Sequence, residues 1–245
     1  MQIDVKKPIL IRFSKSEFPA RVAQVIAEEI RLVLAARGVC RIALAGGETP
    51  RAIHESLVAT AAEIGWQNVW VTFGDERCVP PSDPASNYGM ARESLLEKVP
   101  IPPGQVLRMR GELPQAEAAI DYERQLAQAG GAGPDGRYVH DIIMLGMGED
   151  GHTASLFPGS PALNEAERNV LPVIGTKPPP ERVTMTLPLL NAARKVFFMV
   201  VGTAKAPVLR KVLSGDRSYP SARVQPVSGE VTWLLTEELA KEVER

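Results

Sequence analysis

Strand-like and helix-like hydrophobic periods alternate along almost the whole chain, and that alternation limits the possible folds more than any other feature. The strand-like runs are short and almost wholly apolar: residues 9–11, 41–45, 69–73, 142–145, 195–201 and 231–235. Strands that are apolar without interruption are buried on both faces, the condition of a parallel sheet covered by helices. Helical periods lie between them. Val22, Val25, Ile26, Ile30, Val33 and Leu34 recur at helical spacing after Ser16, until Gly38 stops them. Residues 51–60, 86–96 and 115–129 follow, then a helix ending before Gly215 and a charged C-terminal one. Thr49 and Pro50 read as N-cap and first residue of the second helix. Two further strand-like runs, 170–174 and 182–186, flank a Pro-rich loop at 177–180. No repeat, low-complexity stretch or shift in composition divides the 245 residues. Residues 1–245 are therefore expected to form a single α/β domain, a three-layer sandwich with a largely parallel Rossmann-like sheet and helices on both faces.

Composition then excludes classes of partner. A net charge of −1 spreads no field that would recruit nucleic acid or an anionic membrane. An anionic ligand must be held by a local cluster instead. No segment approaches the roughly 20 apolar residues of a membrane span, and the opening MQIDVKKPIL has no long apolar region. The two cysteines, Cys40 and Cys78, form no CxxC and no metal-ligand spacing. They read as small buried hydrophobes in a reducing compartment, so the expected location is the cytoplasm.

Four strand ends carry unusual polar residues, and in a parallel sheet such ends gather at one edge. After the second strand comes Gly46-Gly47-Glu48-Thr49-Pro50. Its glycines let backbone N–H groups approach a ligand, and the helix N-terminus behind them favours an anion such as phosphate. A plain turn would look the same. The third strand ends in Asp75-Glu76-Arg77, with Asn87 downstream, residues able to hold sugar hydroxyls and, through the planar Arg fork, a carboxylate or phosphate. A solvated ion-paired turn is the alternative there.

The strand at 142–145 runs into Gly146-Met147-Gly148-Glu149-Asp150-Gly151-His152. By count this is the dinucleotide pattern GxGxxG, but it is not the first βα unit, and Glu149 and Asp150 would repel a pyrophosphate. The dinucleotide reading is rejected. Of the three histidines, His54 falls on a helix, where a surface or half-buried position is expected, and His140 precedes a strand. His152 is left as the side chain placed to exchange a proton near neutral pH. Finally, Arg182 begins a strand, and Lys205 sits in the first turn of a helix, where the dipole disfavours a cation and an anionic partner is wanted.

Together these runs carry a specific resemblance. Gly46-Gly47-x-Thr49-Pro50, Asp75-Glu76-Arg77 with Ser86-Asn87, the stretch from Gly146 to Pro158, Arg182-Val183-Thr184 and Gly202-x-x-Lys205 occur in the order seen in 6-phosphogluconolactonases. The chain resembles that family, within the glucosamine/galactosamine-6-phosphate isomerase superfamily, from about Ile9 to Leu239. The resemblance implies hydrolysis of 6-phospho-D-glucono-1,5-lactone to 6-phosphogluconate in the oxidative pentose phosphate pathway, without metal or organic cofactor. It implies a small sugar-phosphate partner; a monomer or weak homodimer is expected. A lactone is an ester already prone to hydrolysis, so one base and donors for the oxyanion suffice. His152 would take the proton from water, and Asp150 would orient it or hold a sugar hydroxyl. Gly46, Gly47, Thr49, Gly148, Arg182 and Lys205 would surround the phosphate or the reacting oxygens, and Asp75, Arg77 and Asn87 would help hold the sugar. Glu48 departs from the small residue usual in the family and is expected to point outward.

Two other readings compete. An amino-sugar phosphate deaminase would carry an acid soon after the histidine run and a Tyr after Asp-Glu; this chain has Leu156-Phe157-Pro158-Gly159 and Arg77. A non-catalytic sugar-phosphate sensor would need a DNA-binding segment, for which the sequence before the first strand leaves no room.

Overall fold

Apolar runs become strands, and the residues between them become the helices that cover those strands. The computed structural model describes residues 9–245. The segment read for an apolar leader falls largely on residues 1–8, outside those described. In chain order the first elements are β1 (Ile9–Phe13), α1 (Phe18–Arg37), β2 (Cys40–Leu44), α2 (Glu48–Val58) and β3 (Val69–Phe73). Next come β4 (Asp75–Arg77), α3 (Asn87–Ala91), α4 (Gln115–Gln128) and β5 (Ile142–Leu145). The last are β6 (Val170–Ile174), β7 (Glu181–Met185), α5 (Leu187–Asn191), β8 (Lys195–Val200), α6 (Ala206–Leu213), β9 (Glu230–Thr236) and α7 (Glu237–Glu244).

Six strands form one parallel sheet in the order β1-β9-β8-β5-β2-β3. Alternate residues of each strand enter opposite cores, as the pleat requires. Ile142 and Met144 of β5 and Phe197 and Met199 of β8 join the cluster under α1 and α2. Ile143, Leu145, Val196 and Phe198 join the other, with Tyr122 of α4 and Leu209 of α6. Gly38, at φ 74, ends α1 by returning its N–H to Leu34 O. Tyr122 crosses from α4 to β3, accepting from Phe73 N at 2.9 Å and donating to Phe73 O at 3.1 Å.

Strand order places the site. From β2 the chain moves to its neighbour β3 on one side, while β5 lies on the other. The crevice beyond the carboxyl ends of β2 and β5 is thus a topological switch point, where open α/β sheets bind ligands.

Two sequence expectations are corrected. Residues 170–174 and 182–186 do not join the parallel sheet. β6 and β7 form an antiparallel hairpin, and β4 adds to it in the order β4-β7-β6. Neighbouring parallel strands need a crossover of a dozen or more residues, and the loop at 175–180 is too short for one. The small sheet hangs from the end of β3: Gly74 donates to Leu44 O at 3.1 Å and accepts from Met185 N at 2.9 Å. Second, Thr49 does not cap α2. Glu48 is already helical and Gly47 is the N-cap, at φ 105 and with no side-chain cap bond. Only a glycine turns there cheaply, and the first N–H groups of the helix stay open.

Several polar side chains lie deeper than the sequence suggested. His54 is fully buried, its Nδ1 3.2 Å from Ser94 Oγ, and so is His140, its Nε2 3.0 Å from Thr72 Oγ1. Glu76 points away from the face shared by Asp75 and Arg77 and is also buried. Its Oε1 accepts from Arg77 N and Asn87 N, and its Oε2 from Ser86 Oγ and Tyr88 N, so this carboxylate fixes the start of α3.

These three groups set the response to acid. Burial, with the Arg51 charge adding to it, pushes His54 down to about 4; burial with Arg41 pushes His140 down to about 3. Burial pushes the Glu76 carboxyl up to about 7 against its four donors. In an unfolded chain histidine titrates near ~6.5 and glutamate near ~4.3. Within that window unfolding adds protons to two histidines and removes one from Glu76. The histidines win. Stability is expected to fall by roughly 1 kcal/mol per pH unit between about pH 6 and about pH 5. Urea midpoints measured across that range check this, and a midpoint that rises on acidification contradicts it.

Candidate active site

The loop after β5 is a tight turn built on its glycines. Gly148 N donates to His152 O at 2.9 Å, and Gly151 N to Gly148 O at 3.0 Å. Gly151 sits at φ 78, and a Cβ there would lie 2.4 Å from Tyr219 Cδ1. A Cβ on Gly148 would lie 2.1 Å from His152 Nδ1 and 2.6 Å from Asp150 Oδ1. The glycine spacing that imitates a dinucleotide motif is therefore needed to fold the turn and to seat the histidine.

His152 and Asp150 form a pair, with Nδ1 2.5 Å from Asp150 Oδ1. His152 N also donates to that oxygen, at 3.1 Å. Partial burial raises the Asp150 carboxyl, but the two hydrogen bonds and the His152 charge together hold it below its ordinary value. An ionised carboxylate only accepts, so the proton between the two belongs on Nδ1. Nε2 then carries the free lone pair, the arrangement a general base needs. The ring is half-buried, its centroid 4.8 Å from that of Phe157.

Asp75 and Asn87, expected to hold the sugar, are buried and tie loops together instead. Ser155 Oγ donates to Asp75 Oδ2 at 2.5 Å. Asn87 Nδ2 donates to Asp75 O at 2.9 Å and to its Oδ1 at 3.2 Å. Asn87 in turn lies against the glycine turn, for a Cβ on Gly46 would fall 1.8 Å from its Oδ1. One carboxylate thus joins the histidine loop to the start of α3 and, through Asn87, supports the Gly46 turn before α2. Glu76, read in sequence with Asp75 and Arg77 as able to hold sugar hydroxyls, is buried against the start of α3, and Ser155 was given no role. Their roles depend on partners brought together by the fold, and no local pattern announces them.

The expected cations gather at this edge. Arg77 and Arg182 are direct partners across β4 and β7, so their side chains leave the small sheet on one face. Arg77 Nη1 donates to Ala85 O at 2.6 Å. Arg182 is buried and covers the Phe157 ring at 5.7 Å, on the ring that also packs against His152. Burial lowers its pKa, Asp75 opposing and Arg77 adding to the effect. Lys205 ends the short turn before α6; burial lowers its pKa, with Glu149 opposing and Lys177 adding to the effect. Among the described residues neither Arg182 nor Lys205 has an acid within salt-bridge distance. At the carboxyl end of β2 the open N-terminus of α2 presents Gly46, Gly47 and Thr49, while Glu48 is solvent-exposed as expected. The edge therefore combines one oriented base with cations and N–H groups that lack an anion. Among the described residues no group of three or more His, Cys, Asp or Glu could hold a metal ion.

Comparison with known proteins fits this geometry. The model of the family described as glucosamine-6-phosphate isomerases/6-phosphogluconolactonase matches residues 14–233. The chain belongs to that family. It is 42% identical to the human 6-phosphogluconolactonase over 235 residues, which cover 93% of this chain and 90% of the human one. It superposes on the Trypanosoma brucei 6-phosphogluconolactonase with a TM-score of 0.84 at 30% identity, covering 97% of this chain and 99% of that one. A monomeric glucosamine-6-phosphate deaminase has a TM-score of 0.78 at 20% identity, covering 96% and 99%, and shares the fold alone. The mixed α/β architecture is the family's. Among the described residues no helix is long and apolar enough to cross a membrane.

Proposed function

We propose that the chain hydrolyses 6-phospho-D-glucono-1,5-lactone to 6-phospho-D-gluconate, with His152 as the base. The observation that carries the mechanism is the 2.5 Å contact between His152 Nδ1 and Asp150 Oδ1, which leaves Nε2 to accept a proton. Water loses that proton to Nε2 while its oxygen bonds to the lactone carbonyl carbon. The oxyanion formed is stabilised by the cationic edge. When the ring C–O bond breaks, the leaving oxygen takes the proton back from the imidazolium and becomes the sugar hydroxyl. No net proton is left on the histidine; the second proton of the water stays on the new carboxyl group, which loses it to solvent and becomes a carboxylate.

Arg182, Lys205 and the α2 N-terminus with Gly46, Gly47 and Thr49 supply the positive field for phosphate and oxyanion. Arg77 serves the sugar side. Asp75 and Asn87 act as supports that hold the three loops in register. Gly148 gives the room that the base occupies. Action in the cytoplasm, as a monomer or weak homodimer, belongs to the same reading, as does treatment of residues 1–245 as one domain. The last is supported by Val183 and Met185 of the small sheet sharing a core with Phe198 and Trp233 of the large one.

The test is turnover of freshly generated phosphorylated lactone, followed by acid release. Acceleration well above spontaneous hydrolysis is expected. Failure to exceed the spontaneous rate, or release of ammonia from glucosamine 6-phosphate, overturns the reading.

A further inference from the structure

The tip of the β6–β7 hairpin carries a lysine to which the sequence assigned no role. Gly175 N donates to Pro180 O at 2.7 Å and closes the tip. Three prolines, Pro178 to Pro180, fix their own φ angles and stiffen it. Arg182 reaches back to this tip, Nε donating to Pro179 O at 3.2 Å and Nη2 to Lys177 O at 3.0 Å. A side chain at Gly175 would block the approach, since a Cβ there would lie 2.6 Å from Arg182 Nε. The same guanidinium covers Phe157, against which His152 packs. The hairpin is therefore a stiff arm fastened to the wall of the active site, with Lys177 at its end.

Lys177 is exposed, and among the described residues it makes no ion pair. Burial is the main cause that lowers the Lys205 pKa; Glu149 opposes it and the Lys177 charge adds to it. Lys177 and Arg182, joined at the stiff tip and without an acid in salt-bridge range among the described residues, leave excess positive charge at the rim of the site. A phosphomonoester dianion neutralises two cations at once, whereas a neutral lactone ring neutralises neither.

We propose that Lys177 binds the substrate phosphate from the hairpin side, beside Arg182, and sets the preference for phosphorylated over unphosphorylated lactones. The proposal rests on the lactonase reading and adds to it a residue that acts on substrate selection. Because the tip is already ordered, the contact needs little further loss of chain entropy on binding.

The experiment compares wild type, Lys177→Ala and Lys177→Arg on the phosphorylated lactone and on glucono-1,5-lactone. In Lys177→Ala the KM for the phosphorylated lactone is expected to rise about tenfold with kcat within about twofold. The selectivity ratio between the two lactones should fall by the same factor. Lys177→Arg, which keeps the charge, should restore most of it. An unchanged KM in Lys177→Ala overturns the proposal. So does a matching loss of kcat on both lactones, which would put the lysine at the carbonyl. Calorimetric binding of 6-phospho-D-gluconate against D-gluconate reads the contact without turnover. A wild type that turns over no lactone, yet loses about tenfold affinity for 6-phospho-D-gluconate in Lys177→Ala, sinks the lactonase reading and leaves the phosphate contact standing.

Discussion

His152→Ala is expected to lower kcat/KM for the phosphorylated lactone by about 10²- to 10⁴-fold, the usual contribution of a positioned general base. The loss should fall mainly on kcat. In the proposed reading phosphate recognition falls to the α2 N-terminus and the cations, none of which hydrogen-bonds to the imidazole. Stability should hardly change. The ring is half-buried in a surface turn, and its removal takes away the contact with Phe157 but leaves the backbone bonds from Gly148 N and Thr153 in place. Asp150 loses its ring partner, yet its side chain stays largely in solvent and still accepts from the residue 152 N–H. Thermal unfolding measured beside the kinetics separates the two effects. A variant with turnover within a few-fold of wild type would remove His152 from the mechanism, and one that has unfolded would not test it. His152→Asn, which keeps a polar planar group of smaller size, serves as the folded control.

How much of this is legible in the sequence depends on how local each signal is. β5 can be read directly: Ile142 to Leu145 are all apolar because one face meets α1 and α2 and the other meets α4 and α6. The parallel sheet follows from several such runs. β4 cannot be read that way. Asp75-Glu76-Arg77 has no apolar pattern and becomes a strand only by pairing with β7, about a hundred residues on. The hairpin at 170–186 was visible as two strands, but its sheet membership depends on that same distant pairing.

The contact between the proposed base and its carboxylate was legible because they lie two residues apart in one turn. Burial was not. Asp75 and Asn87 look like ligands in a sequence, since both are polar and follow a strand end. The fold presses them against each other and against Gly46, and their polar atoms find partners inside the protein. His54 sits on a helix between Ile53 and Glu55, yet the Ser94 hydroxyl meets it across the core. Lys177 shows the reverse case, a residue in an ordinary Pro-rich loop that tertiary structure fastens to Arg182.

Gly148→Ala is expected to reduce activity nearly as much as loss of the base, through a single methyl group. Gly148 does not adopt a positive φ, so alanine fits its backbone without strain. The added carbon, however, falls 2.1 Å from His152 Nδ1, 2.3 Å from its Cε1 and 2.6 Å from Asp150 Oδ1. No real carbon tolerates such contacts, and the atoms in the way are the free ends of two side chains on a surface turn. They can swing aside, so the expected change in unfolding free energy is within about 1 kcal/mol, as for a typical surface substitution. In swinging aside they break the contact that fixes the tautomer and aim of the imidazole, and kcat/KM should fall by about 10² or more. Gly151→Ala would behave differently. There φ is 78 and the added carbon meets the Tyr219 ring, so the damage should appear in stability. The decisive comparison is a double-mutant cycle. If Gly148 acts only by giving the base its place, Gly148→Ala in the His152→Ala background should cost almost nothing further. An equal loss in both backgrounds would show that the glycine serves the substrate directly, and the steric account of the turn would fail.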